Sequence, residues 1–137
     1  MSAVRWPRRS RRWLLIACIV LWAGAFTATH TPAPHLPDLP DIKDTTMHAV
    51  GYLVLAGMFA LVLASRGLPG VARVTIVLCV LLSYAALDEL TQPYFNRTAD
   101  INDWLADSIG TIIAAAAVET VLAITRRRRR QVWRRFG

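Results

Sequence analysis

The side chains with chemistry to offer fall in four short stretches. Asp44, His48 and Tyr52 follow one another at four-residue spacing, as do Tyr84, Asp88 and Gln92, with Glu89 beside Asp88. Arg97 comes next, and then Asp100, Asp103 and Asp107, continuing through Thr111 and Ala114. Residues three and four apart share a helix face, so each stretch is a polar stripe if its backbone is helical. A histidine among carboxylates suits a general base or a divalent metal, and an arginine suits a phosphate clamp. The metal alternative uses His48, Asp88, Asp103 and Asp107. No HExxH, GxSxG or CxxC is present, so the residues signal no particular reaction.

The elements that must position these residues are apolar. Hydrophobic residues make up 55% of the chain, while 18% are charged, which is possible because the charges are segregated. Apolar segments at about 13–29, 47–65, 71–87 and 104–124 are each long enough to cross a bilayer core. In lipid the backbone must bond to itself, so these segments are helices. The expected fold is an all-α membrane protein, a bundle of about four transmembrane helices. A basic N-terminus (1–12) precedes it and a basic C-terminal tail (125–137) follows. A proline-rich loop separates the first two helices and contains His30 and His35, which are expected to be solvated. Arg66 to Gly70 forms a tight turn, and the segment from Gln92 to Asn102 is a polar connector.

Charge sets the expected orientation. Fourteen of the 16 basic residues fall at the termini or around the Arg66/Arg73 turn, leaving Lys43 and Arg97 on the other side. By the positive-inside rule both termini are cytoplasmic. Eight of the nine acidic residues then gather at the opposite surface. The ninth, Glu119, lies near the inner end of the fourth helix. It could serve proton-coupled transport, but pairing with nearby arginines or snorkelling is the simpler reading. Ser10 to Leu15 resembles a twin-arginine export signal with Ala23-Gly24-Ala25 as a cleavage site, yet a positive-inside signal explains the same arginines. A net charge of +7 would suggest nucleic acid for a soluble chain; here the arginines flank apolar segments, so the expected partner is anionic lipid. Trp13 and Trp104 fit an interfacial aromatic belt, and Gly110, Ala114 and Ala117 favour close helix packing. Cys18 and Cys79 lie in apolar runs and carry no chemistry.

The order and spacing of these motifs resemble the VanZ-like family of small bacterial membrane proteins. The resemblance is carried by Asp44 and His48, Asp88-Glu89-x-x-Gln92, Arg97, and Asp103-x-x-x-Asp107-x-x-Gly110, over about residues 41–115. Two departures are Thr45, where lysine is frequent, and Asp107, where asparagine is common. The resemblance implies a multi-pass protein of the bacterial cell membrane, with a link to glycopeptide (teicoplanin) resistance or envelope homeostasis. The polar cluster of Asp44, His48, Tyr52, Asp88, Glu89, Gln92, Arg97, Asp103 and Asp107 is then expected to bind a headgroup or a membrane protein, with no cofactor specified. The alternative is a hydrolase or transferase acting on a lipid-linked envelope substrate.

Overall fold

The computed structural model describes residues 6–31 and 44–136; the expected proline-rich loop with His35, Asp38, Asp41 and Lys43 lies outside them. Four helices follow in order: α1 (Arg8–His30), α2 (Asp44–Ser65), α3 (Gly70–Thr91) and α4 (Ile101–Phe136), with a 3₁₀ turn at Gln92–Phe95 before α4. Each is long and apolar enough to cross a membrane. The chain is a multi-pass membrane protein.

Helix ends differ from the expected bounds wherever polar residues continue a helix. α1 starts five residues earlier, directly after Pro7, because arginine is a good helix former. α3 continues to Thr91, so Asp88 and Glu89 lie on the helix itself. α4 continues through the arginine run to Phe136, making the tail helical. At 1.5 Å per residue its 36 residues extend for about 54 Å. That exceeds a hydrocarbon core of about 30 Å, so its basic end projects beyond it.

The turn between α2 and α3 is a Schellman stop. Leu68 N–H bonds Leu63 C=O (3.3 Å) and Gly67 N–H bonds Ala64 C=O (3.0 Å). Gly67 carries the positive φ of 86° that this closure requires. Asp100 caps α4, its Oδ1 accepting from Asn102 N–H at 2.9 Å.

The core is built from small residues. Ala56, Ala60, Ala85 and Ala114 are buried among Tyr52, Leu55, Val77 and Leu81. Many larger apolar side chains face outward instead, among them Val50, Val54, Leu87, Ile109, Ile113 and Val121. Lipid tails are as apolar as leucine, so close backbone packing rather than water exclusion brings such helices together. α2 and α4 share the most extensive contact. Gly110 sits where a Cβ would overlap the Ala49 carbonyl oxygen and come within 3.0 Å of Leu53 N. Ala114 also faces α2, approaching Gly57, whereas Ala117 is exposed and Ala115 is the buried neighbour. The expectation for Ala117 was therefore wrong: one further helical turn rotates that position off the contact.

Alanine is a better helix former than glycine by about 1 kcal/mol, so Gly110→Ala would stabilise an isolated α4. The overlap with Ala49 reverses the sign. The substitution is expected to destabilise the protein by about 1–3 kcal/mol, read from unfolding in detergent micelles. Unchanged or increased stability would contradict this packing.

Candidate functional site

One end of the bundle collects the polar stripes. It is formed by the C-termini of α1 and α3 and the N-termini of α2 and α4, and is referred to below as the acidic end. At its centre His48 Nδ1, on α2, lies 3.1 Å from Asp107 Oδ1 on α4. Both are buried, Asp107 completely. The close approach at Gly110, one turn beyond Asp107, is what lets these side chains meet across two parallel helices.

Asp88 and Glu89 point different ways, as adjacent helical residues must. Asp88 turns to α1, where Thr29 Oγ1–H donates to its Oδ1 at 2.9 Å and His30 Nδ1 lies 3.5 Å away. Glu89 turns to α4: its Oε2 accepts the Asp100 N–H at 2.8 Å, tying α3 to the capped start of α4. Gln92 is buried and its amide lies 3.5 Å from Glu89 Oε1.

Arg97 bonds Asp44 Oδ2 through one Nη at 3.0 Å. Its partner thus comes from the start of α2 and not from the acids opening α4. Tyr52 is buried beside Tyr84, with ring centroids 6.0 Å apart, and Tyr84 meets Trp22 of α1 edge-on at 5.2 Å. Asp103, Asp107 and Thr111 are all buried along one face of α4 as their spacing predicts, while Asp100 is exposed at the cap.

Two sets of side chains bring one ligand atom each within 4.8 Å of the others: Asp44 with His48 and Asp103, and His48 with Glu89 and Asp107. Asp88 belongs to neither. The expected grouping of His48, Asp88, Asp103 and Asp107 is therefore not reproduced, because Asp88 is drawn to Thr29 and His30.

His30 differs from the solvated loop residue that the sequence predicts: it is the last residue of α1 and only 7% exposed. Its ring stacks on Phe26 at 4.0 Å, meets Phe95 edge-on at 4.6 Å, and places Nε2 2.9 Å from Thr91 Oγ1. The available signal was the absence of a helix breaker before Pro32, which allows α1 to carry Thr29 and His30 to the acidic end. Arg73, read only as a topology charge, is also buried (1% exposed). Its guanidinium holds the Glu119 carboxylate (Nη2 to Oε2, 2.7 Å) and donates to Leu68 C=O at 2.9 Å. Glu119 is thereby accounted for as an ion-pair partner at the arginine end.

A groove of about 470 Å³ opens on the flank of α3 and α4, lined by Ala86, Leu90, Pro93, Ile101 and Trp104, with Glu89 and Asp100 at its polar margin. At the other end of the molecule a cavity of about 340 Å³ is lined by Arg8, Arg11, Arg12 and Arg66 with Leu15.

Burial separates the two arginine pairs energetically. Removing one partner of a buried pair strands the other charge, at up to about 3–5 kcal/mol; the Glu119 side chain is 28% exposed, which lowers that. Arg73→Met is thus expected to cost about 2–4 kcal/mol. The Asp44 side chain is 58% exposed, so Arg97→Ala is expected to cost less than about 1 kcal/mol. Unfolding of both variants in the same detergent checks the ranking, and equal losses would contradict it.

Neither a curated protein nor a solved structure matches the chain. A family model does, VanZ/LLP1, over residues 15–123, which reaches from within α1 to within α4, contains α2 and α3 whole, and includes every residue of the acidic end from Thr29 to Asp107. Agreement of the four-helix fold and the motif-bearing end with a match of that extent leads to one conclusion: the chain belongs to the VanZ/LLP1 family.

Proposed function

We propose that this protein binds a lipid of the bacterial cytoplasmic membrane at its acidic end, facing the outside of the cell, and acts in envelope homeostasis or glycopeptide resistance. One observation carries the reading. Glu89 lies at the margin of the apolar α3–α4 groove and also within 4.8 Å of His48 and Asp107. A molecule occupying both would need an apolar chain joined to a polar head, which describes a lipid and not a soluble metabolite. The groove supplies apolar contact, as ligand sites generally do, and the buried polar groups supply selection. The arginine end has the complementary character. Arg8, Arg11, Arg12 and Arg66 around one cavity suit anionic headgroups of the inner leaflet, at about 1 kcal/mol for each basic residue. The same asymmetry supports cytoplasmic termini.

A second reading, a hydrolase or transferase acting on a lipid-linked substrate, is favoured by the His48–Asp107 pair. A carboxylate bonded to Nδ1 fixes the tautomer that leaves Nε2 free to accept a proton. Both readings place the lipid in the same groove.

Ala86→Trp fills that groove from α3 without touching the polar end. Lipid extracted from the purified variant is expected to lose the species enriched in the wild type. An unchanged lipid profile would overturn the reading. For orientation, a cysteine at position 100 in a Cys18/Cys79-free background is expected to react with impermeant thiol reagent from outside intact cells, and one at position 66 only after lysis. The reverse pattern would overturn the orientation.

A further inference from the structure

We propose that the acidic end holds a divalent cation of the zinc or manganese type, ligated by Asp44, His48 and Asp103, with Asp107 positioning the imidazole. The proposal rests on the reading of this end as a headgroup site and adds how a phosphate is held there among carboxylates.

Three independent features lead to it. First, Asp88, Glu89, Asp103 and Asp107 are each 7% exposed or less. Among the described residues, the basic groups bonded to acids of this cluster are His30 and His48, and Arg97, which is bonded to the exposed Asp44. Buried carboxylates are not left uncompensated, because an isolated buried charge is far more costly than a paired one. Second, Asp103 is 6% exposed and its Oδ1 has no hydrogen-bond partner among the described residues. This oxygen is an acceptor with an unmet need, carried by a residue of the triad in which Asp44, His48 and Asp103 each bring one ligand atom within 4.8 Å of the others. Third, the carboxylate of Asp107 sits 3.1 Å from His48 Nδ1. Metal-ligating histidines characteristically give their other ring nitrogen to such a carboxylate, leaving Nε2 as the ligand.

Ligand atoms about 2.1 Å from a tetrahedral ion lie about 3.4 Å apart, so the three side chains, whose ligand atoms lie within 4.8 Å of one another, would close around the ion on binding. One imidazole with carboxylates is a donor set for zinc or manganese rather than calcium. The overlapping set of His48, Glu89 and Asp107 is less available, since Glu89 already accepts from Asp100 N–H and Asp107 from His48. Asp44 is exposed and gives the ion a path from water. An ion here reverses the local potential: a phosphate that the carboxylates would repel is drawn to the metal and to Arg97, which is bonded to the metal's own ligand Asp44.

The full chain, purified without chelator, is expected to carry about one equivalent of zinc or manganese by elemental mass spectrometry. After EDTA treatment, adding ZnCl₂ or MnCl₂ should raise the unfolding temperature. Asp103→Asn, which keeps size and shape, is expected to weaken metal binding at least roughly tenfold, and Asp107→Asn by about 10–100-fold. Circular dichroism and gel filtration establish that the variants are folded. Wild-type protein without metal and unmoved by either salt would overturn the proposal, as would Asp103→Asn binding metal like the wild type. Neutralisation of the carboxylates by bound protons instead gives the first of these results. Metal present without an enriched lipid removes only the lipid reading; enriched lipid without metal removes only this proposal.

Discussion

The architecture depends on how closely α2 can approach α4. These two helices run parallel from the acidic end, and Gly110 removes the one side chain that would hold them apart at Ala49. In a lipid environment this contact must come from packing, because burying apolar surface gains little there. Its consequence is chemical: it sets His48 against Asp107 and places Asp103 within reach of the same imidazole. The remaining helices complete the enclosure, with α1 contributing Thr29 and His30 behind Asp88, and α3 directing Glu89 to the start of α4. The polar centre is therefore assembled from all four helices, and no single one contains it.

The two ends of the bundle solve the burial of charge differently. At the arginine end, one guanidinium is matched to one carboxylate and a backbone carbonyl, so Arg73 and Glu119 satisfy each other within the protein. The acidic end is not balanced in this way. Its carboxylates outnumber the cations bonded to them, and Asp88, Asp103, Tyr52 and Thr111 each retain a buried polar atom without a partner among the described residues. At the arginine end the buried polar atom without a partner among the described residues is Arg11 Nε, outside the Arg73–Glu119 pair. Unsatisfied buried polar groups beside an apolar groove are the expected form of a site that awaits a ligand.

Much of this organisation is legible in the sequence because helical periodicity determines faces. Asp44/His48/Tyr52, Tyr84/Asp88/Gln92 and Asp103/Asp107/Thr111 share faces as their spacing requires, and apolar segment length gives the four helices. Periodicity does not determine which neighbour a face meets. It could not show that Arg97 pairs across to Asp44, or that Asp88 faces Thr29 while Glu89 joins His48 and Asp107. His30 departs from its expected place in the loop for a related reason: proline density marks a loop but not its first residue, and α1 stays helical to His30, short of Pro32. Arg73 was hidden because burying a charge requires a partner 46 residues away, which local pattern does not reveal. The missed residues are those whose role is fixed by tertiary contact alone.

The central claim, that the acidic end and its groove select a lipid, is tested most directly by photo-crosslinking in membranes. A photoreactive residue at Leu90, in the groove, is compared with one at Val121, exposed towards the arginine end. The account predicts one lipid species enriched over the bulk membrane at position 90 and the bulk mixture at position 121. The same lipid mixture at both positions would contradict it.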